Sequence, residues 1–140
     1  MSPNVVSIAP YARAAEAAGS DALSIMNSFP AMAIDIETRR PSLANVTGGL
    51  TGPCIKPIAV KLVWEAAKAV SIPIIGMGGI QTTADAIEFI MAGATAVAIG
   101  TANFYEPQTA LQVIAGLRQF MLQNGIQDVR ELIGCVQTGK

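Results

Sequence analysis

A chain of 140 residues, 51% of them hydrophobic, is long enough to bury one core of ordinary domain size. Its formal net charge of −1, with only four Phe, two Tyr and one Trp, offers neither the basic surface nor the stacking material that nucleic acid requires, and no pull toward an anionic membrane. Histidine is absent, which excludes a histidine triad or a histidine-ligated metal within the chain and leaves acid–base work to Cys, Lys, Ser or carboxylates.

No run approaches the roughly 20 apolar residues that span a bilayer. The N-terminus lacks the basic-then-apolar order of a signal peptide, so a cytoplasmic protein is expected. Cys54 and Cys135 stand far apart, in neither a metal-ligand cluster nor a C-x-x-C pair, and read as buried thiols of a reducing compartment.

Met1 to Asn4 read as the tail of a strand entering a loop. A helix is expected from about Val6 to Ala18, with Pro10 in its first turn and Gly19 ending it. Ala22 to Ile25 then form a strand closed by Met26-Asn27-Ser28. Asn27 stands where barrel active sites place polar groups, at a strand's C-terminal end; the alternative is an Asx-turn. Residues 29–55 are an insertion. Alternation in Ala33 to Glu37 and in Ser42 to Val46, joined through Arg39-Arg40-Pro41, predicts a β-hairpin, and Gly48 to Pro53 follow as a glycine-rich sequel. Arg39, Arg40 and Lys56 are placed either to meet an anion or to be solvated.

Pro57 opens a helix predicted to face Ile58, Leu62, Val63, Ala66, Ala69 and Val70 inward. Ile72 to Ile75 are a buried parallel strand ending in Gly76-Met77-Gly78-Gly79. Thr82 or Thr83 caps the next helix, with Ala86, Ile87, Ile90 and Met91 on one face and Gly93 as its stop. Ala96 to Ile99 repeat the strand pattern and end in Gly100-Thr101. Pro107 starts a helix to about Gln123, with Leu111, Ile114, Leu117 and Met121 on its expected buried side and Asn124-Gly125 at its end. Asp128 and Glu131 have capping-box spacing for a short terminal helix carrying Val129, Leu132, Ile133 and Val136.

Two successive βα units with glycines at their strand ends let backbone N–H groups approach an anion closely. A phosphate-bearing ligand held by Gly78, Gly79, Gly100 and Thr101 is one reading, and tight turns alone are the other. The Rossmann fingerprint fails on spacing, because Gly76-Met77-Gly78-Gly79 is not G-x-G-x-x-G. The fold class expected is α/β: the C-terminal half of a (β/α)8 TIM barrel over residues 1–140, with an inserted β-hairpin. A complete barrel takes about 250 residues.

The strings Ser2-Pro3-Asn4-Val5, Asn45 to Pro53, Ile55-Lys56-Pro57, Gly76 to Ile80 and Ala92 to Phe104 together resemble class 1 dihydroorotate dehydrogenases, specifically the FMN-bearing catalytic subunit of the NAD-linked class 1B group. The resemblance implies FMN at a barrel mouth, its phosphate on Gly78, Gly79, Gly100 and Thr101, Gly52 against the flavin and the Met26 backbone beside it. Asn27 and Ser28 match the family's orotate-binding pair, with Ser28 where the family usually has Thr and Met26 where it usually has Ile. It also implies a cysteine base and a flavin-contacting lysine, both expected upstream of residue 1, so no catalytic residue is assigned within the chain and Cys54 is not promoted to that role. The implied activity is oxidation of dihydroorotate to orotate in pyrimidine biosynthesis. The implied partners are a FAD and iron–sulfur electron-transfer subunit and a second copy of the intact catalytic subunit. A dihydropyrimidine-dehydrogenase-like flavoprotein domain and an inactive half-barrel fragment are the alternatives.

Overall fold

A computed structural model describes residues 1–139. Its centre is a three-stranded parallel sheet of β1 (Leu23–Ile25), β6 (Ile74–Met77) and β7 (Ala96–Ala98), with β6 in the middle. Between β1 and β6 the chain makes four short strands, β2 (Phe29–Ala31), β3 (Ile34–Asp35), β4 (Arg40–Pro41) and β5 (Gly48–Leu50). The helices are α1 (Ala9–Ala17), α2 (Lys56–Ala67), α3 (Thr83–Ala92), α4 (Ala102–Tyr105) and α5 (Thr109–Gln123). Mixed α/β content around a parallel sheet agrees with the fold class expected.

Register pairs Leu23 with Ile74 and Ile25 with Gly76, and on the other side Ile75 with Ala96 and Met77 with Ala98. One core cluster joins Ile8 and Ala12 of the α1 region, the sheet, α2, α3 and Val113 of α5. Phe89, fully buried, is the largest side chain in it, and the sequence reading passed over it. Gly76 makes room for it. A Cβ at Gly76 would stand 2.7 Å from the Phe89 ring and 3.0 Å from Ala94, so this glycine sets how closely α3 approaches the sheet.

Several expected details are corrected. Helix α1 starts at Ala9 rather than Val6, which is fully exposed. Helix α2 starts at Lys56, after a 3-10 turn at Pro53–Ile55. Its buried face is Ala59, Leu62, Val63 and Ala66, the i, i+3, i+4, i+7 set; Ile58 lies about 100° off that stripe and is exposed, while Ala69 and Val70 fall beyond the helix end. The insertion is a two-tier hairpin. Phe29 pairs with Leu50 and Ala31 with Gly48, and further out Ile34 pairs with Pro41 and Asp35 with Arg40. Residues 42–46 form a turn instead of the second strand, because the Asp35 carboxylate accepts the Glu37 and Thr38 N–H groups at 2.9 and 3.0 Å and reverses the chain early.

The predicted buried side of α5 holds only in part, with Leu117 and Met121 half-buried. Leu111 and Ile114 are 68% and 50% exposed, and the buried residues are Thr109 and Val113. Gly116 decides this. A Cβ there would overlap the Thr83 side chain, so α5 lays its glycine against the start of α3 and turns its larger apolar stripe outward. The separate turn α4 before it was not anticipated. Asp128 and Glu131 do form a capping box, on a 3-10 turn (Val129–Leu132) rather than an α-helix, and only Leu132 of its apolar set is fully buried. Both cysteines are free and exposed, not buried. No helix among the described residues is long and apolar enough to cross a membrane.

Candidate functional site

Parallel strands deliver their following residues to one edge of a sheet, and here the C-terminal ends of β1, β6 and β7 meet the turn after β5. Between them lies a cleft of about 230 Å³. All eight residues singled out in the sequence line it: Met26, Asn27 and Ser28 after β1, Gly52 after β5, Gly78 and Gly79 after β6, and Gly100 and Thr101 after β7. Thr51, Ile55, Met77, Ala98 and Ile99 complete the wall. These five were missed, although Thr51, Met77 and Ile99 are each adjacent to a named residue, Ala98 lies two residues from Gly100 and Ile55 one 3-10 turn from Gly52.

The glycines differ in what they do. Gly79 has φ +80°, and a Cβ would stand 2.7 Å from the Gly52 carbonyl oxygen and 3.0 Å from Lys56 Cβ, so the turn itself demands glycine. Gly100 is different: its φ is not positive and a Cβ there would meet nothing within 4 Å. The fold does not explain that glycine, and a ligand lying against it would. No acceptor among the described residues takes the N–H of Gly79, Gly100 or Thr101, which leaves donors from two successive strand ends open to one anion.

Asn27 Oδ1 accepts the N–H of the adjacent Ser28 at 2.8 Å, one residue short of the contact that defines an Asx-turn, so its remaining polar group is the Nδ2 donor. Its backbone N–H donates to the Met1 carbonyl at 3.0 Å. Ser28 packs over β5, where a Cβ on Gly49 would overlap its Cβ and Oγ. Asn4 Nδ2 donates to the Ser28 carbonyl at 3.4 Å and to Ser2 Oγ at 3.1 Å, tying the first loop to the end of β1.

None of the residues lining the cleft carries a titratable side chain. Of the cations considered for an anion, Arg39 and Arg40 sit on the exposed hairpin tip, and Lys56 is engaged elsewhere. Lys56 Nζ donates to Asp85 Oδ1 and to Glu88 Oε1, both at 2.7 Å, and these carboxylates raise its pKa. Burial pushes the Asp85 carboxyl up, but hydrogen bonds from Lys56, from the Gln81 and Thr82 N–H groups and from the Thr82 hydroxyl outweigh it and hold the group at about 2.

A depressed carboxylate stabilises the fold above its unfolded pKa and loses that contribution as pH falls through the folded value. The Asp85 contribution is therefore complete above pH ~4 and fades toward pH ~2, a loss of about 2 kcal/mol. In urea unfolding at pH 5 and pH 2, wild type and Asp85→Asn should differ at the higher pH and converge at the lower. Parallel stability curves for the two proteins would refute this.

The fold is an α/β layer that gathers donors and small residues at the C-terminal ends of parallel strands, the edge at which α/β proteins as a class place their ligands. The chain belongs to the dihydroorotate dehydrogenase family, whose family model matches residues 1–121. It is 56% identical over 137 residues to the dihydroorotate dehydrogenase B (NAD(+)) catalytic subunit of Lachnoclostridium phytofermentans, covering 98% of this chain and 46% of that protein. It is likewise 56% identical over 134 residues to the catalytic subunit of the same name from Porphyromonas gingivalis, covering 96% of this chain and 44% of the relative. Among solved structures, the ligand-free dihydroorotate dehydrogenase of Eimeria tenella superposes with a TM-score of 0.79 at 31% identity, covering 96% of this chain and 38% of the other. The chain thus spans less than half the length of the curated relatives it matches.

Proposed function

We propose that this chain is the C-terminal half of a (β/α)8 barrel and supplies the FMN-anchoring and orotate-binding part of an NAD-linked dihydroorotate dehydrogenase. The observation that carries this reading is the convergence of Met26, Asn27, Ser28, Gly52, Gly78, Gly79, Gly100 and Thr101 on one cleft. The fit to FMN is supported by the unclaimed N–H groups of Gly79, Gly100 and Thr101 and by the open space at Gly100. These groups hold the phosphate without a cation, Gly52 and the Met26 backbone border the ring, and FMN, when bound, supplies the two-electron acceptor for the hydride that leaves C6 of dihydroorotate.

Asn27 Nδ2 and the Ser28 hydroxyl donate to polar atoms of the pyrimidine and orient it. The proton at C5 must leave to another part of the enzyme, because nothing in this cleft titrates. A partner holding FAD and an iron–sulfur cluster takes the electrons onward to NAD⁺; Cys54 and Cys135 are too few to ligate such a cluster. Assembly as a homodimer is part of the reading. The hairpin supports it by exposing Ile34 and Ile36 beside Asp35, Glu37, Arg39 and Arg40, an apolar patch whose charges can pair with those of its own copy. Free, exposed thiols favour a reducing, cytoplasmic setting.

The test is complementation: this chain produced with the N-terminal half of the Lachnoclostridium phytofermentans relative, assayed for flavin absorbance and dihydroorotate oxidation. In that complex Asn27→Ala should keep its flavin and lose about tenfold or more in kcat/KM, roughly 1.4 kcal/mol. Unchanged kinetics with dihydroorotate would remove Asn27 from the substrate site. A complemented complex without flavin would refute the whole reading.

A further inference from the structure

We propose that Lys56, which lies outside the cleft, is a positioning residue that locks the Gly78–Gly79 turn in its anion-binding shape. Lys56 is the first residue of α2 and follows Gly52 by a single 3-10 turn. Its backbone N and its Cβ lie 3.1 and 3.0 Å from the point where a Cβ on Gly79 would stand, and the Gly52 carbonyl oxygen lies 2.7 Å from that point. The turn after β6 is therefore seated directly on the Gly52 turn and the start of α2.

What holds the two together is one carboxylate with divided duties. Asp85 Oδ1 accepts from Lys56 Nζ at 2.7 Å, while Asp85 Oδ2 accepts from the Gln81 N–H at 3.0 Å, the Thr82 N–H at 2.8 Å and the Thr82 hydroxyl at 2.9 Å. Gln81 and Thr82 are the residues by which the chain leaves Gly78–Gly79–Ile80 and enters α3. Capping α3 needs only the Thr82–Asp85 exchange; the contact to Lys56 adds a tether across 29 residues of sequence. Lys56 and Asp85 are 22% and 15% exposed, so solvent screens this pair only in part. Glu88, 49% exposed, is the weaker second partner.

The tether acts on the turn assigned above to the FMN phosphate, so the proposal rests on that assignment. It predicts a loss confined to the phosphate end of the ligand. Riboflavin, which lacks the phosphate, separates such a loss from general destabilisation. The experiment measures dissociation constants for FMN and riboflavin by flavin fluorescence in the complemented complex. Wild type should prefer FMN. Lys56→Met should lower the FMN-over-riboflavin preference about tenfold or more, and Lys56→Arg should restore it to within about twofold. Asp85→Asn keeps an oxygen for the cap and removes the charge facing Lys56, so it should lower the preference too and carries the test if Lys56→Met is insoluble. Glu88→Gln should leave the preference within about twofold of wild type. Parallel weakening of both flavins, or an unchanged preference in Lys56→Met or Asp85→Asn, overturns the tether while leaving the FMN reading intact. A wild-type complex that does not prefer FMN overturns the phosphate assignment and the tether with it.

Discussion

Purified by itself, the chain is expected to turn over no dihydroorotate, and the complemented complex is expected to gain flavin and turnover together. The cleft holds Asn, Ser, Thr, Met, Ile, Ala and Gly side chains but no group able to take a proton from carbon near neutral pH. Lack of general acid–base catalysis alone costs roughly 10²–10⁴-fold. Packing points the same way. The outer edges of β1 and β7 have no strand partner among the described residues, and Phe104, Tyr105, Leu111 and Leu122 are 88%, 78%, 68% and 83% exposed on α4 and α5. Open sheet edges beside bare apolar helix faces drive association, so the isolated chain should elute as aggregates or higher oligomers. Size-exclusion chromatography, flavin absorbance and a dihydroorotate assay on the same sample decide the matter. A monomeric, yellow, active preparation of the chain alone would overturn both the half-barrel reading and the assignment of the base elsewhere.

Gly100→Val should abolish stoichiometric FMN binding in the complemented complex while leaving the thermal unfolding of the flavin-free complex unchanged. At Gly100 the backbone is not in the left-handed region and an added Cβ meets no protein atom within 4 Å, so the fold admits a side chain there. A phosphate against that backbone does not. Weakening of about 100-fold or more, roughly 2.8 kcal/mol, is expected. Gly79→Val should also lose the cofactor, but together with stability, because φ +80° and the Gly52 carbonyl at 2.7 Å make valine strained there with or without ligand. The contrast separates a glycine kept for the ligand from one kept for the turn. Full FMN occupancy in Gly100→Val would refute the phosphate assignment.

Local signals in the sequence were legible where short-range chemistry alone decides the outcome. Thr82, offered with Thr83 as the cap of α3, Asp128 with Glu131, and Gly93 at the end of α3 act within a single turn of chain, and each is a cap in the structure. The continuous apolar runs around Ile74 and Val97 read as parallel strands because a sheet covered on both faces leaves no polar alternation. Strands that share a direction bring their C-terminal ends to one edge, so the strand ends pointed to Asn27, Gly78, Gly79, Gly100 and Thr101, and the family resemblance added Met26, Ser28 and Gly52; all eight meet in one cleft. The wall residues Thr51, Ile55 and Met77 escaped because nothing in their local pattern distinguishes a cleft wall from ordinary packing.

Which faces are buried was settled only in three dimensions. The apolar stripe of Leu111 and Ile114 and the neighbouring one of Thr109, Val113 and Gly116 both repeat at helical spacing; the close approach allowed by Gly116 over Thr83 selects the second. In the hairpin, alternation marked residues 42–46 as a strand, yet with both faces in water the Asp35 turn sets the pairing and hydrophobic pattern does not. Lys56, Asp85 and Gly79 came together across the α2–β6–α3 connection, where spacing in the chain carries no sign of contact. Sequence by itself determined the three parallel strands, the main helices, several of their caps and the edge at which the candidate site residues gather, because those follow from backbone and near-neighbour chemistry. Tertiary packing decided exposure, register and ion-pair partners, because each depends on surfaces that only the folded chain brings into contact.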